Sequence, residues 1–206
     1  MGTIKQGILG GFSGKVGTVV GSSWKGISYM KGRAQSVKNP RTTKQMAQRD
    51  KFALANKFIR PIRSFINLGF KTYAKHQSAY NAAMSYTLRN AIKGTYPSLT
   101  IDYTKAMVAR GSLALPMEIQ KLNGSGRLCV SWTGNSGIAN AIDTDFAMLM
   151  AYNAEKQEAV YDMHTACRGD EGVGVSYPTD WSGDTVHIYL AFISEDWTLV
   201  SDSQYV

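Results

Sequence analysis

The apolar positions between residues 42 and 93 recur at intervals of three and four, which is the spacing of amphipathic helices. A first helix is predicted over about residues 42–68, and Pro61 is expected to kink it or divide it in two. A second helix is predicted over about residues 76–93, before Gly94 ends it. The apolar positions of the two helices are Ala55, Phe58, Ile59, Ile62, Phe65 and Ile66, and then Tyr80, Ala83, Met84, Leu88, Ala91 and Ile92.

Beyond Ala114 the apolar period changes from helical to alternating. In one run Leu128, Val130 and Trp132 alternate with other residues, which places these three side chains on one face of a strand. Strands are predicted near residues 117–122, 127–133, 145–152, 157–166, 172–177, 185–194 and 198–205. Short strands at this spacing predict a β-sandwich of about 90 residues.

Residues 1–38 contain nine glycines between short β-favouring runs. Glycine permits positive φ angles and close backbone approach, so the segment is interpreted either as short twisted strands with tight turns or as an arm along another surface. The chain is therefore predicted to be α+β, with a glycine-rich N-terminal β arm, a helical segment and a C-terminal antiparallel β-sandwich. Domains are predicted over residues 1–110 and 111–206, because periodicity and charge both change near residues 109–114.

The formal net charge of +8 conceals an uneven distribution. Residues 1–100 carry 17 Lys and Arg against one acid, Asp50, a net of +16, whereas residues 101–206 carry 6 against 14 acids, a net of −8. This asymmetry predicts that the first half attracts polyanions or acidic protein surfaces. The alternative is that these cations only keep the surface solvated, without a specific partner. Solvation alone does not require the 49 consecutive residues from 52 to 100 to lack a carboxylate.

Basic residues in the first half are interleaved with aromatic ones. Cations neutralise phosphates and exposed rings stack on bases, so the mixture suits nucleic acid, while the rings of Trp24 and Tyr29 equally suit a protein core. The candidate residues for contact with a polyanion or a protein partner are Lys15, Lys25, Lys31, Arg33, Arg41, Lys44, Arg49, Lys57, Arg60 and Arg63.

The motifs for nucleotide, metal or covalent chemistry fail their spacing rules. The glycine-rich run near residues 11–17 resembles a phosphate-binding loop, but that loop needs Gly where Leu9 stands and Ser or Thr where Val16 stands. The three histidines are not spaced as metal ligands. Asp143 and Asp145 either bind calcium or serve only as polar loop residues. The sequence therefore predicts a protein that is not an enzyme, with no catalytic residue, cofactor, metal ion or small-molecule substrate.

Several short motifs carry a resemblance to known proteins. The motifs are GGFSGKVG at residues 10–17, WKG at 24–26, and KNPRT at 38–42 with Gln45, Gln48, Arg49 and Phe52 after it. With the closing residues 201–206, they resemble an uncharacterised family of Bacteroidota proteins along the whole chain. The NPRT segment is similar, more weakly, to uncharacterised phage and prophage proteins. The C-terminal part resembles a fibronectin type III module, with Trp132 in the place of the second strand's core tryptophan, which implies a fold and no activity.

Two functions fit these observations. In the first, the chain is a structural subunit of a virion or another assembly, and its basic, glycine-rich N-terminal region contacts the acidic sandwich of a neighbouring copy head to tail. In the second, the basic half binds nucleic acid without sequence preference, although no established binding motif is present. No apolar run approaches the roughly 20 residues that span a bilayer and no export signal follows Met1, so a cytoplasmic or virion-associated protein without membrane contact is expected.

Overall fold

The chain forms two compact units, Met1–Thr42 and Thr43–Val206. The computed structural model describes residues 2–4, 7, 10–24, 26–36, 39–74, 77–124 and 126–206, without the side chains of residues 123 and 124. The strands of the first unit are β1 (Thr3–Ile4), β2 (Phe12–Val16), β3 (Val19–Trp24) and β4 (Ile27–Gly32). The second unit begins with helices α1 (Thr43–Ile59), α2 (Arg63–Gly69) and α3 (Ala79–Asn90), followed by the short paired strands β5 (Ile92–Lys93) and β6 (Thr100–Ile101).

The first unit is an antiparallel meander with the strand order β1-β2-β3-β4. A tight turn at Gly17, with φ +55°, joins β2 to β3, so this part of the chain has the short strands and turns that its glycines predict. Gly21 is the one described residue of the unit that is buried. A Cβ on Gly21 would lie 2.1 Å from the carbonyl oxygen of Phe12 and 2.5 Å from its ring, so the close packing of β2 and β3 requires glycine here.

Pro61 divides the first predicted helix, as expected. Helix α1 ends at Ile59 and α2 begins at Arg63, because proline cannot donate a backbone hydrogen bond inside a helix. Helix α3 begins three residues later than predicted, and its N-cap is Ser78, whose hydroxyl accepts a hydrogen bond from the backbone N–H of Asn81 at 3.2 Å. The predicted start near residue 76 lies outside the described residues.

All seven predicted strands of the C-terminal region are confirmed. They are β7 (Met117–Gly124), β8 (Arg127–Thr133), β9 (Phe146–Asn153), β10 (Glu158–Asp162), β11 (Gly172–Ser176), β12 (Val186–Ile193) and β13 (Gln204–Tyr205), with short 3-10 helices at Arg168–Asp170 and Thr179–Trp181. One sheet has the order β11-β8-β7 and the other β10-β9-β12-β13, and all their pairs are antiparallel. Strand β10 is shorter than predicted, because the carboxylate of Asp162 accepts the backbone N–H groups of His164 (3.1 Å) and Thr165 (3.0 Å) and turns the chain.

The four-stranded sheet is the middle layer of the second unit. Alternate residues of β9 and β12 face the three-stranded sheet, where the buried Trp132 packs edge-on against Phe192. The other residues of β9 and β12 face the three helices. The sheet-facing set is Ala147, Leu149, Ala151, Ile188, Leu190 and Phe192, and the helix-facing set is Met148, Met150, Tyr152, Tyr189, Ala191 and Ile193.

The segment near residue 110 is packed into this second unit. The N–H of Val108 donates to the hydroxyl of Ser203 and the N–H of Ser203 donates to the carbonyl of Ala109, both at 3.0 Å. Ala109 and Leu113 are buried. The division between compact units therefore lies after Thr42, and the predicted boundary near residue 110 runs through a shared hydrophobic core.

Candidate functional site

One face of the meander presents large apolar side chains together with lysines. Register places Trp24 opposite Ile27, and it places both Lys15 and Lys31 opposite Val20. Because alternate residues of a strand share a face, Lys15, Val20, Trp24, Ile27, Tyr29 and Lys31 lie on one side of the sheet, called here the meander face. Trp24 is 64% exposed, Ile27 67% and Tyr29 43%.

The opposite side of the meander also carries an exposed apolar side chain. Met30, on the other face of β4, is 68% exposed, and every residue of β4 is exposed. A sheet of a few short strands needs an apolar face packed against something else to be stable in water. Among its described residues, the first unit therefore leaves the large apolar side chains of Trp24, Ile27, Tyr29 and Met30 exposed.

The ten candidate cations fall into two groups, one in each unit. Lys25 lies outside the described residues, and the other nine are exposed. The first unit holds Lys15, Lys31, Arg33 and Arg41, and the second holds Lys44, Arg49, Lys57, Arg60 and Arg63. For Arg49, Lys57, Arg60 and Arg63 this exposure agrees with the helical periodicity, which puts them opposite the apolar stripe.

Two of these cations meet a third at a cleft in the second unit. Lys57 and Arg60 line a cleft of about 630 Å³ together with Lys156, from the turn between β9 and β10. The Lys156 ammonium is 2.7 Å from Asp180 and 3.6 Å from Asp184, and the hydrogen bond to Asp180 raises the pKa of Lys156. The third cation is thus already compensated by carboxylates of its own unit.

A second cleft opens at the loop end of the sandwich and is called here the end cleft. It has a volume of about 670 Å³ and lies between residues 139–145 and residues 194–199, with the buried Leu113 beside them. Its apolar lining includes Ile142, which is 59% exposed, and Leu199. Its lining also carries the exposed carboxylates of Glu195 and Asp196.

The wall formed by residues 194–199 is a hydrogen-bonded turn centred on Asp196. Its carboxylate accepts hydrogen bonds from the Ser194 hydroxyl at 2.6 Å and from the Thr198 hydroxyl at 2.8 Å and backbone N–H at 3.0 Å. These bonds, led by that from Ser194, lower the pKa of Asp196. The turn therefore holds a negative charge in a fixed position. The predicted strand over residues 198–205 overlaps this turn and is reduced to β13.

The opposite wall is fixed by the buried Arg168. Its Nε donates to Asp145 at 2.9 Å, Nη1 donates to Asn135 at 2.8 Å and Nη2 donates to the carbonyl of Ala114 at 2.9 Å. The guanidinium also lies 3.9 Å from the ring centre of Phe192. Asp145, a candidate calcium ligand in the sequence, is thus the ion-pair partner of Arg168 instead.

A group of aromatic side chains lines one edge of the central sheet. The His187 ring stacks on Tyr103 with 3.8 Å between ring centres, and its Nδ1 lies 2.9 Å from the hydroxyl of Tyr205. Burial lowers the pKa of His187. The rings pack against Tyr152 and Phe58 of the core, so the cluster joins the helices to the sheet.

No metal-binding group and no membrane-spanning helix occurs in the described part of the chain. Within it, no three His, Cys, Asp or Glu side chains lie close enough to hold a metal ion. No helix there is long and apolar enough to cross a bilayer.

Sequence reasoning missed the end cleft. Arg168, Glu195 and Asp196 were counted only as charges of the C-terminal half, because their positions depend on loops that meet only in the folded sandwich. One local signal was available: Ser194 and Asp196 followed by Thr198 is a composition that favours a side-chain-capped turn.

The comparisons with known proteins agree with the predicted resemblance to an uncharacterised family. No curated protein and no solved structure matches the chain. A model for a family of unknown function matches residues 11–206, a stretch that includes β2, β3 and β4 and the end cleft. Since this match covers nearly the whole sequence, the chain belongs to the family of unknown function DUF6266.

Proposed function

We propose that the chain is a structural subunit that assembles with copies of itself, and that its first unit binds a neighbouring copy. The observation that carries this proposal is the exposed apolar surface of the meander face, where Trp24, Ile27 and Tyr29 are all exposed. Exposed apolar patches rimmed by charged residues are typical of protein contact sites.

The charge distribution supports contact between unlike surfaces. Residues 1–42 carry seven Lys and Arg and no acid, whereas residues 101–206 have a net charge of −8. Opposite charges favour the approach of one copy's first unit to the sandwich of another and disfavour contact between two meanders. Such a heterologous contact repeats from copy to copy and gives rings or filaments. The weaker resemblance to phage and prophage proteins fits an assembly of this kind in a virion.

The test of self-assembly is the mass of the nuclease-treated protein, measured by size-exclusion chromatography with light scattering. We expect the intact chain at low ionic strength to form species larger than one chain, with a mass that rises with concentration. A variant that lacks residues 1–42 should keep the mass of one chain at every concentration, and its circular dichroism should show that the second unit is still folded. An intact chain that stays monomeric at high concentration and low salt would refute the proposal.

A second candidate function is binding to nucleic acid without sequence preference, favoured by the exposed cations of α1 and α2. Lys57 and Arg60 line one cleft, and Arg63 is exposed at the start of α2. Phosphate contacts of this kind need no specific motif, and their affinity falls steeply with salt. The compensation of Lys156 by Asp180 and the Glu158 carboxylate at the same cleft weaken this candidate relative to self-assembly.

The test of this second function is binding of a random duplex at low salt. If the basic helix face carries the contact, the variant Arg49→Gln, Lys57→Gln, Arg60→Gln, Arg63→Gln should bind at least about tenfold more weakly, because it loses phosphate contacts. The affinity of this variant should also depend less steeply on salt. Its helical circular dichroism should be unchanged, because all four side chains are exposed. Equal binding by the intact chain and this variant would exclude the helix face as a nucleic-acid site.

A further inference from the structure

We infer that the end cleft is the receptor for the meander face of a second copy. This inference rests on the proposed self-assembly and adds to it the surface on which the first unit docks. The occupant is a second copy of this chain, since the same sequence provides one face that carries exposed rings and lysines and one cleft that carries exposed apolar side chains and carboxylates.

Both surfaces carry exposed apolar side chains. The meander face offers Ile27 and Tyr29 from β4 beside Trp24 from β3, and these side chains are exposed. The end cleft offers Ile142 and Leu199 above the buried Leu113. A cleft of about 670 Å³ lies within the range of pockets that enclose several large groups. Burial of apolar side chains in such a cleft is the main source of binding free energy at most protein interfaces.

The charges of the two surfaces are opposite. Lys15 and Lys31 lie on the meander face, and no acid occurs anywhere in residues 1–42. Glu195 and Asp196 are exposed at the cleft, and the hydrogen bonds that lower the pKa of Asp196 favour its charged form. Lys71 lies beside this turn, and its ammonium donates to the carbonyl of Trp197 at 3.4 Å. Charge complementarity of this kind directs the docking of unlike surfaces and accelerates their encounter.

Hydrogen bonds hold both walls of the cleft in place. Arg168 fixes residues 114, 135 and 145 on one side, and the capped turn around Asp196 fixes the other. A preformed site does not have to be ordered during binding, so less of the interaction free energy is lost. The meander face is equally well defined, because β3 and β4 pair over their whole length.

The experiment uses two variants of the full chain, each with one surface blocked. In the face variant, Ile27→Glu and Lys31→Glu make the meander face polar and acidic. In the cleft variant, Ile142→Lys and Glu195→Lys make the cleft polar and basic. All four positions are exposed, so both variants should fold. The matched controls are Met30→Glu, on the other side of β4, and Leu122→Lys, an exposed position on β7.

We expect the face variant and the cleft variant each to remain a single chain at concentrations where the intact protein assembles, with the association midpoint raised at least about tenfold. An equimolar mixture should then form a species of at least two chains, because it contains one working face and one working cleft. The two control variants should assemble as the intact chain does. This mixing result would also exclude an explanation by misfolding, since a misfolded variant could not restore the missing partner.

Other outcomes separate the inference from the proposed function. If the cleft variant assembles like the intact chain while the face variant does not, the first unit drives assembly but the end cleft is not its receptor. If Leu122→Lys disrupts assembly as strongly as the cleft variant, or if the mixture stays monomeric, the inference is likewise overturned. If the intact chain never assembles, the proposed function fails and the inference fails with it.

Discussion

The buried guanidinium of Arg168 connects three loops at one end of the sandwich. Its partners Ala114, Asn135 and Asp145 come from separate stretches of the chain, and Trp132 donates its indole N–H to the Arg168 carbonyl at 2.9 Å. A buried ion pair stabilises a fold only when its hydrogen-bonding groups are satisfied. Since both members of this pair are almost completely buried, loss of one member leaves the other charge without compensation.

We expect Arg168→Met to lower the free energy of unfolding by about 3–5 kcal/mol, because Asp145 would stay buried without its cation. Urea unfolding followed by circular dichroism measures this loss. The double variant Arg168→Met, Asp145→Asn removes both charges and should be less destabilised than the sum of the two single variants. Additive losses, or a loss below about 1 kcal/mol for Arg168→Met, would mean that the ion pair has little effect on stability.

At this residue scale, the sequence predicted buried apolar positions better than buried polar ones. Trp132 was expected in the core of the second sandwich strand, and it lies there. Arg168 could not be distinguished in the sequence from the exposed cations, because its burial depends on the meeting of three loops. The role of Asp145 was open between calcium binding and a loop position for the same reason.

Strands β9 and β12 are the elements around which the second unit is organised. Their alternate residues enter two different cores, one against the second sheet and one against the helices. Apolar runs such as Phe146–Ala151 are thus explained, since a strand covered on both faces does not alternate between apolar and polar residues. The sequence predicted the strands and the division of the first helix at Pro61. It did not predict that the helices cover the sheet, because periodicity identifies an apolar face without identifying what packs on it.

The meander depends on a close contact between β2 and β3 at Gly21. We expect Gly21→Val to destabilise the meander by about 1–3 kcal/mol, because its side chain would overlap the backbone and ring of Phe12. Hydrogen exchange of the β2 and β3 amides measures this as a loss of protection of about tenfold or more. The second unit should keep its protection, since the two units are separate compact bodies.

The matched control for this change is Gly32→Val in β4. A Cβ at Gly32 meets no atom within 4 Å, so valine fits there and suits a strand. We expect the exchange of the meander amides to be as slow in this variant as in the intact chain. Equal protection in the Gly21→Val and Gly32→Val variants would show that the contact with Phe12 does not limit the stability of the sheet.

At the scale of the whole molecule, charge and periodicity predict a domain boundary near residue 110, whereas the packing divides the compact units after Thr42. Both signals change near residue 110, but residues 108–113 are hydrogen-bonded to the chain near residues 200–203. A change in pattern shows where one type of secondary structure gives way to another. It does not show whether the two types share a core, which depends on contacts between distant parts of the sequence.

This shared core leads to a prediction about fragments of the chain. We expect residues 43–206 to fold as a monomer, and residues 111–206 to aggregate or to lose cooperative thermal unfolding. The shorter fragment would expose the helix-facing residues of β9 and β12, including Met148, Met150, Tyr189 and Ile193, which are fully buried in the chain. Burial of each such side chain stabilises the fold by about 1.5–3 kcal/mol. The burial free energy lost in the shorter fragment is therefore comparable to the roughly 5–15 kcal/mol that stabilises a typical domain.

This difference is measured on the two fragments in two ways. Circular dichroism during heating follows their unfolding, and size-exclusion chromatography shows whether they aggregate. Limited proteolysis of the intact chain gives a second readout: cleavage within residues 109–114 should be slow, because Ala109 and Leu113 are buried and the backbone there is hydrogen-bonded. A stable, cooperatively folded fragment of residues 111–206 would show that the sandwich is an independent domain and that the helices only lie on its surface. Failure of both fragments to fold would mean instead that the second unit needs the first, in spite of their separation into two compact bodies.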